Sequence, residues 1–146
     1  MKAWDRYREV LLSITELAAR LYIAKVFFMA GLSKTNDWAM TIEMFTDEYR
    51  VPLLSPTVAA YLGTGGELLF SSLLALGLIR PLAALGLFAL NIVAVISYYH
   101  VIHEMPVSLQ DHLEWGLLLA LLVSLPTTWL SADKGLQIWR RSSQTA

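Results

Sequence analysis

A single acidic residue, Glu67, interrupts an otherwise charge-free stretch running from residue 51 to 79. An ionisable side chain in such surroundings costs a few kcal/mol even on lenient insertion scales, so it must face other protein and find a partner. The residues sharing its helical face are Ala60, Gly63, Thr64 and Ser71. Small and hydroxyl side chains of this kind let a second helix approach closely and offer hydrogen bonds. Candidate cations lie earlier in the chain, where Arg20, Phe27, Gly31 and Lys34 recur at spacings of seven, four and three and so share one face. Glu16 stands one turn before Arg20 on that face. The expected pairing is Arg20 with Glu67, through a guanidinium on a long apolar stem. Lys25, matched in depth but turned about 140° from Arg20, is the second choice, and Asn91 the expected third member. A cluster of Arg20, Lys34, Glu67 and Asn91 would serve either as an ion pair that fixes helix register or as a proton-relay or quinone-head-group site. In the second case Arg20 or Asn91 would donate to a carbonyl, and Phe27 and Phe28 would line the slot.

A second set of chemistry-bearing residues lies in HVIHEMPVSLQDHLEWG. It holds all three histidines, His100, His103 and His112, with Glu104, Asp111 and Glu114 interleaved. Imidazoles mixed with carboxylates suit zinc, copper or iron, and an exposed histidine can ligate haem. The competing reading is a set of ordinary polar residues at helix ends, with Asp111 favourable near a helix N-terminus.

The elements that position these residues follow from composition. Of 146 residues, 56% are hydrophobic and 16% charged, against about 25% charged in a soluble domain. A net charge of −1, from 11 basic and 12 acidic residues, excludes a nucleic-acid binder, and the apolar content excludes intrinsic disorder. Cysteine is absent, which removes disulfides, thiolate-held clusters and thiol catalysis. No charge occurs in 81–102 or in 115–131. A bilayer span needs about 20 mostly apolar residues, and four spans are expected, at roughly 13–34, 56–79, 81–100 and 111–131. The sequence therefore predicts an all-α, integral membrane four-helix bundle forming one domain. A cleavable signal peptide is not expected, because the first residues are too polar.

Basic residues set the orientation. Lys2, Arg6, Arg8, Arg80, Lys134, Arg140 and Arg141 fall on one side and only Lys34 and Arg50 on the other, so both termini are expected in the cytoplasm. On the opposite side Trp38, Ile42, Phe45 and Tyr49 form one face of an amphipathic helix at about 37–50, lying in the interface plane. Tyr98, Tyr99 and Trp115 are expected in the aromatic belt on that side.

Three stretches together resemble the DoxX family. Arg20-x6-Phe27-x3-Gly31-x2-Lys34 is similar to that family's first-span signature. GELLFSSLLALGLIRPLAAL (66–85) is similar to its second, and Leu130-Ser131-Ala132-Asp133 to the Ser-x-Asp that closes many members. The resemblance implies a four-helix bacterial inner-membrane protein with relatives in quinone-linked or redox-defence complexes, and it carries the family's polar positions onto Arg20, Lys34 and Glu67. Lys25 is outside the pattern, and Ser124-Leu125-Pro126-Thr127-Thr128 replaces the Gly-Pro-Gly common before the closing motif. VPLLSPTVAAYL (51–62) and DHLEWG (111–116) resemble the subgroup encoded beside multinuclear iron enzymes that modify metal-binding peptides. Two functions are thereby implied. One is an accessory subunit of a membrane redox system, with a quinone as the cofactor the site would suit. The other is a non-catalytic membrane partner in copper-peptide maturation or metal handling. The implied partners are the lipid bilayer and other membrane or periplasmic subunits, with a homo-oligomer left open.

Overall fold

The computed structural model describes residues 3–143, so Lys2, counted above among the basic flanks, lies outside it. Six α-helices and no strand occur among the described residues. They are α1 (Ala3–Asn36), α2 (Trp38–Asp47), α3 (Pro56–Leu76), α4 (Arg80–Ile102), α5 (Pro106–Ser124) and α6 (Ala132–Ser143).

Local chemistry sets most helix ends. Asp37 caps α2 by accepting from the Met40 N–H, and Ser55 caps α3, with Pro56 at the first helical position, where its missing N–H costs nothing. Gly77 ends α3 in the left-handed conformation at φ 69°. Pro81 and Pro106 open α4 and α5 in the same way as Pro56. The helix expected over 111–131 stops at Ser124. Leu125 is extended (φ −68°, ψ 148°) because the ring of Pro126 disfavours helical backbone in the residue before it. The chain then runs irregularly to α6, an element the sequence reading did not anticipate.

Helix α1 packs on α3, α3 on α4, α4 on α5, and α5 returns to α1, while α2 lies across α1 and α3. The central core is Ile23, Phe27, Leu74, Leu87, Leu119 and Leu122 with the small residues Ala24, Ala83 and Ala84. A second, smaller core joins Phe45 of α2 to Ala59 and Ala60 of α3. Helices α3 and α4 are each long and apolar enough to cross a membrane, and only 28% of each apolar window is buried. Their outward apolar side chains, among them Leu62, Leu69, Ile92 and Ile96, are exposed. That distribution suits contact with lipid and would be costly against water.

Candidate functional site

The polar residues expected in one cluster occupy three places. At the end of the molecule holding the α3–α4 turn, Glu16 lies between two guanidiniums. Its Oε1 is 3.6 Å from Arg20 Nε and 3.2 Å from Arg80 Nη1, and its Oε2 accepts from Thr128 Oγ1 at 2.9 Å. Arg20 Nη2 donates to the Leu130 carbonyl at 2.6 Å. Arg80 donates to the carbonyls of Pro126, at 3.0 Å, and Leu125. Asp133 accepts from the backbone N–H groups of Ile79 (2.9 Å) and Arg80 (3.1 Å), and its own N–H donates to Gly77 O. The segment between α5 and α6 is thus folded under α1 and the α3–α4 turn. Gly77 is required twice here. It adopts the left-handed backbone, and a Cβ on it would lie 1.7 Å from Arg20 Nη1. Arg20 Nε and Nη1 are buried without a hydrogen-bond partner.

The expected Arg20–Glu67 pairing is therefore corrected. Arg20 is held at the far end by Glu16 and Leu130 O, and the partner of Glu67 is Lys34. Lys34 Nζ donates to both carboxylate oxygens, at 2.9 and 2.8 Å, and to Ala30 O at 3.3 Å. The second choice, Lys25, is exposed. Gly31 makes the Lys34 contact possible, because a Cβ there would stand 3.0–3.1 Å from Leu68 Cγ and Glu67 Cβ. Thr41 Oγ1 donates to Lys34 O at 2.7 Å and ties α2 over the pair.

The Lys34–Glu67 pair sits at a cavity of about 260 Å³ whose walls include Phe45, Tyr49, Leu54, Leu62, Leu90 and Val93. Tyr49 stacks between Phe45 and Tyr98, with ring centroids 4.8 Å from each. Burial, helped by Tyr98, Glu67 and Glu48 nearby, pushes the Tyr49 phenol up to about 12, so its hydroxyl stays protonated at neutral pH. An ammonium has three protons to donate, and those of Lys34 all have acceptors. What the site offers a ligand is the remaining lone pairs of Glu67 and the O–H of Tyr49. Helix α2, expected as an interface-lying helix, contributes Phe45 to these walls, and Tyr49 follows just beyond its end. Phe27 and Phe28 do not line the cavity. Phe27 is buried edge-on against Trp115 at 6.1 Å, and Phe28 is exposed.

The third place joins α4 to α5. Asn91 Nδ2 donates to His112 O, and His112 Nδ1 donates to Asn91 Oδ1, both at 2.8 Å. Asn91 is thus committed to α5 and is not the third member of the Glu67 cluster. His112 meets Trp115 edge-on at 5.0 Å, and Trp115 is partly buried against the central core. The other histidines have separate neighbours. His103 Nδ1 donates to Tyr99 O at 2.9 Å, and the His100 ring lies edge-on to Tyr98. Among the described residues no three His, Cys, Asp or Glu side chains are grouped to hold a metal ion. The expected His100, His103 and His112 set is not assembled: His112 is engaged by Asn91 and Trp115, His103 by Tyr99 and His100 by Tyr98.

The DoxX family model matches residues 15–100, more than half of the chain. The match includes Arg20, Lys34, Glu67 and Asn91 but stops short of His112, the 125–131 segment and α6. No curated protein and no solved structure matches the chain.

Proposed function

The chain belongs to the DoxX family, and on that premise we propose that it is a multi-pass protein of the bacterial inner membrane. In this reading α1, α3, α4 and α5 form a four-helix bundle with both termini in the cytoplasm, and the chain serves as an accessory subunit of a membrane redox system. Its ligand site is the cavity beside Lys34 and Glu67, open on the side away from the cytoplasm. The observation that carries this reading is an ion pair kept at the edge of an apolar, aromatic-walled cavity with unused lone pairs on the carboxylate. A pair needed only for register would be better enclosed.

The cavity is slightly below the usual size of small-molecule pockets, so it suits one or two fused rings rather than a large ligand. A quinone head fits the donor set. Tyr49 O–H meets a carbonyl oxygen of the oxidised ring, and Glu67 meets a hydroxyl of the reduced ring. When bound, a quinone supplies a two-electron, two-proton couple. The chain's own residues would hold the ring. When a reduced ring is oxidised, Glu67 would accept one hydroxyl proton and the second would leave through the cavity mouth, the two electrons passing to a partner oxidoreductase; reduction would reverse each transfer. Lys34 keeps the carboxylate in place and lowers the cost of its charge in these surroundings.

Titration of detergent-purified protein with menadione or decylubiquinone tests this. Glu67→Gln keeps the shape but weakens the acceptor, and affinity for the reduced probe is expected to fall about ten- to a hundredfold, the range for a hydrogen bond to a charged group. Equal binding by Glu67→Gln and the parent, or no binding by the parent, overturns the reading.

A further inference from the structure

The Asn91–His112 contact fixes a proton position by elimination. The backbone carbonyl of His112 can only accept, so the Asn91 atom 2.8 Å from it must be Nδ2. The atom facing the ring is therefore Oδ1, which also only accepts, so the proton between Asn91 and the imidazole belongs to His112 Nδ1. In the neutral ring that leaves Nε2 with a lone pair and no proton. Nε2 makes no hydrogen bond to any described residue. Asn91 is buried and tied at both ends of its amide, so it holds the ring in place as well as setting the tautomer.

His112 lines a groove of about 780 Å³ between α4 and α5, separate from the cavity beside Glu67. Its walls are Ile92, Val95, Ile96, Leu109 and Leu113, and the Gln110–Glu114 pair, which bond to each other at 2.8 Å, stands at its rim. On the α4 side the groove is continuous with the exposed apolar face of a helix able to span a membrane. Apart from Asn91, the Gln110–Glu114 pair and the held histidine, whose unprotonated nitrogen has no partner among the described residues, the lining is apolar.

We propose that this groove is a second ligand site, for a lipid-soluble molecule carrying one hydroxyl, whose O–H donates to Nε2 of His112 while its apolar body lies along α4 and α5. The argument is hydrogen-bond complementarity. A hydrocarbon chain alone would fill the groove but leave Nε2 without a partner in surroundings that make an unpaired polar atom costly. A carbonyl-bearing molecule would bring a second acceptor against the first. Only a donor satisfies both parts. Asn91 also lines the groove, but both ends of its amide are engaged by His112, so it acts as a positioning residue.

The test uses the full chain in lipid nanodiscs with a para-alkylphenol and its methyl ether, which share a body and differ in the donor. The phenol is expected to bind roughly five- to tenfold more tightly than the ether, the value of one neutral hydrogen bond. His112→Leu should remove that difference. In the parent protein, ¹⁵N NMR of the three histidines should show His112 protonated at Nδ1, with its Nε2 signal shifting on addition of the phenol and not of the ether. Asn91→Asp keeps an acceptor facing Nδ1 and should preserve that tautomer, whereas Asn91→Leu should lose it and the preference for phenol together. Equal affinity for phenol and ether, a resting Nε2–H, or a phenol that leaves the His112 signals unmoved each overturns the proposal. The NMR arm stands even if the leucine variants fail to fold. It also separates this groove from binding beside Glu67.

Discussion

The two ends of the molecule use the same kinds of residue for opposite purposes. Near the α3–α4 turn, the side chains of Arg20, Arg80 and Glu16 are at most 3% exposed, and their neighbours include carbonyls from a segment more than a hundred residues from Arg20 in the chain. At the α2 end, Lys34 and Glu67 are 13% and 16% exposed beside empty space. The first arrangement joins distant segments and encloses its carboxylate between two guanidiniums and Thr128. The second keeps lone pairs unused and a cavity within reach. Charge inside an apolar protein does not by itself mark a functional site. The difference lies in whether the carboxylate has capacity left and whether a ligand can reach it.

The sharpest way to break this contrast is to remove the central carboxylate of the closed end. Glu16→Ala leaves two guanidiniums buried together without their shared anion. Losing one partner of a buried ionic group costs about 3–5 kcal/mol, so the variant should show a large fall in Tm in detergent or no folded yield. Gly77→Ala comes next. It forces a side chain into a left-handed backbone and into the position of Arg20 Nη1, and about 2–4 kcal/mol is expected from strain plus the displaced guanidinium. Neither change alters the walls of the cavity at the other end. Any folded Gly77→Ala protein should therefore bind the quinone probe within about twofold of the parent, a factor worth less than 0.5 kcal/mol.

Lys34→Met tests the open end. The pair is partly exposed, so the stability cost should be smaller, about 1–2 kcal/mol after discounting for solvent screening. Binding should change more than stability, because Glu67 loses the ammonium that holds both of its carboxylate oxygens in place. A melting shift as large as that of Glu16→Ala, with probe affinity unchanged, would show that both ends are structural.

What the sequence disclosed follows from local periodicity. The small-residue face of α3 placed Glu67 inward, and the spacing of Arg20, Gly31 and Lys34 placed them on one face of α1. The choice between Arg20 and Lys34 as the partner was not local. It was decided by the chain leaving its helix at Pro126 and bringing the carbonyls of residues 125, 126 and 130 beneath the turn, where they bond Arg80 and Arg20. A signal was present in part. Glu16 stood at i−4 from Arg20, and Gly31 marked the point where α3 comes closest to α1, one turn before Lys34. For Arg80 the sequence indicates a basic turn between two helices, and nothing in its immediate neighbours announces that it shares a carboxylate with Arg20. Asn91 and His112 were each singled out, but a contact between two helices depends on their register, which single-helix periodicity does not give.

The smallest expected effect separates an aromatic near the site in sequence from those near it in space. Phe28 follows the buried Phe27 directly and was expected to line a ligand slot, yet it is 38% exposed and takes no part in the cavity. Phe45 is 7% exposed and forms a wall with Tyr49 stacked on it. Phe28→Ala should shift stability by no more than about 0.5 kcal/mol, as for a surface position, and should leave quinone-probe affinity unchanged in the same titration. Phe45→Ala should weaken both, since it opens the wall and frees the Tyr49 ring. If Phe28→Ala instead costs binding and Phe45→Ala does not, the ligand lies on the outer face of α1 and the cavity under α2 is not its site.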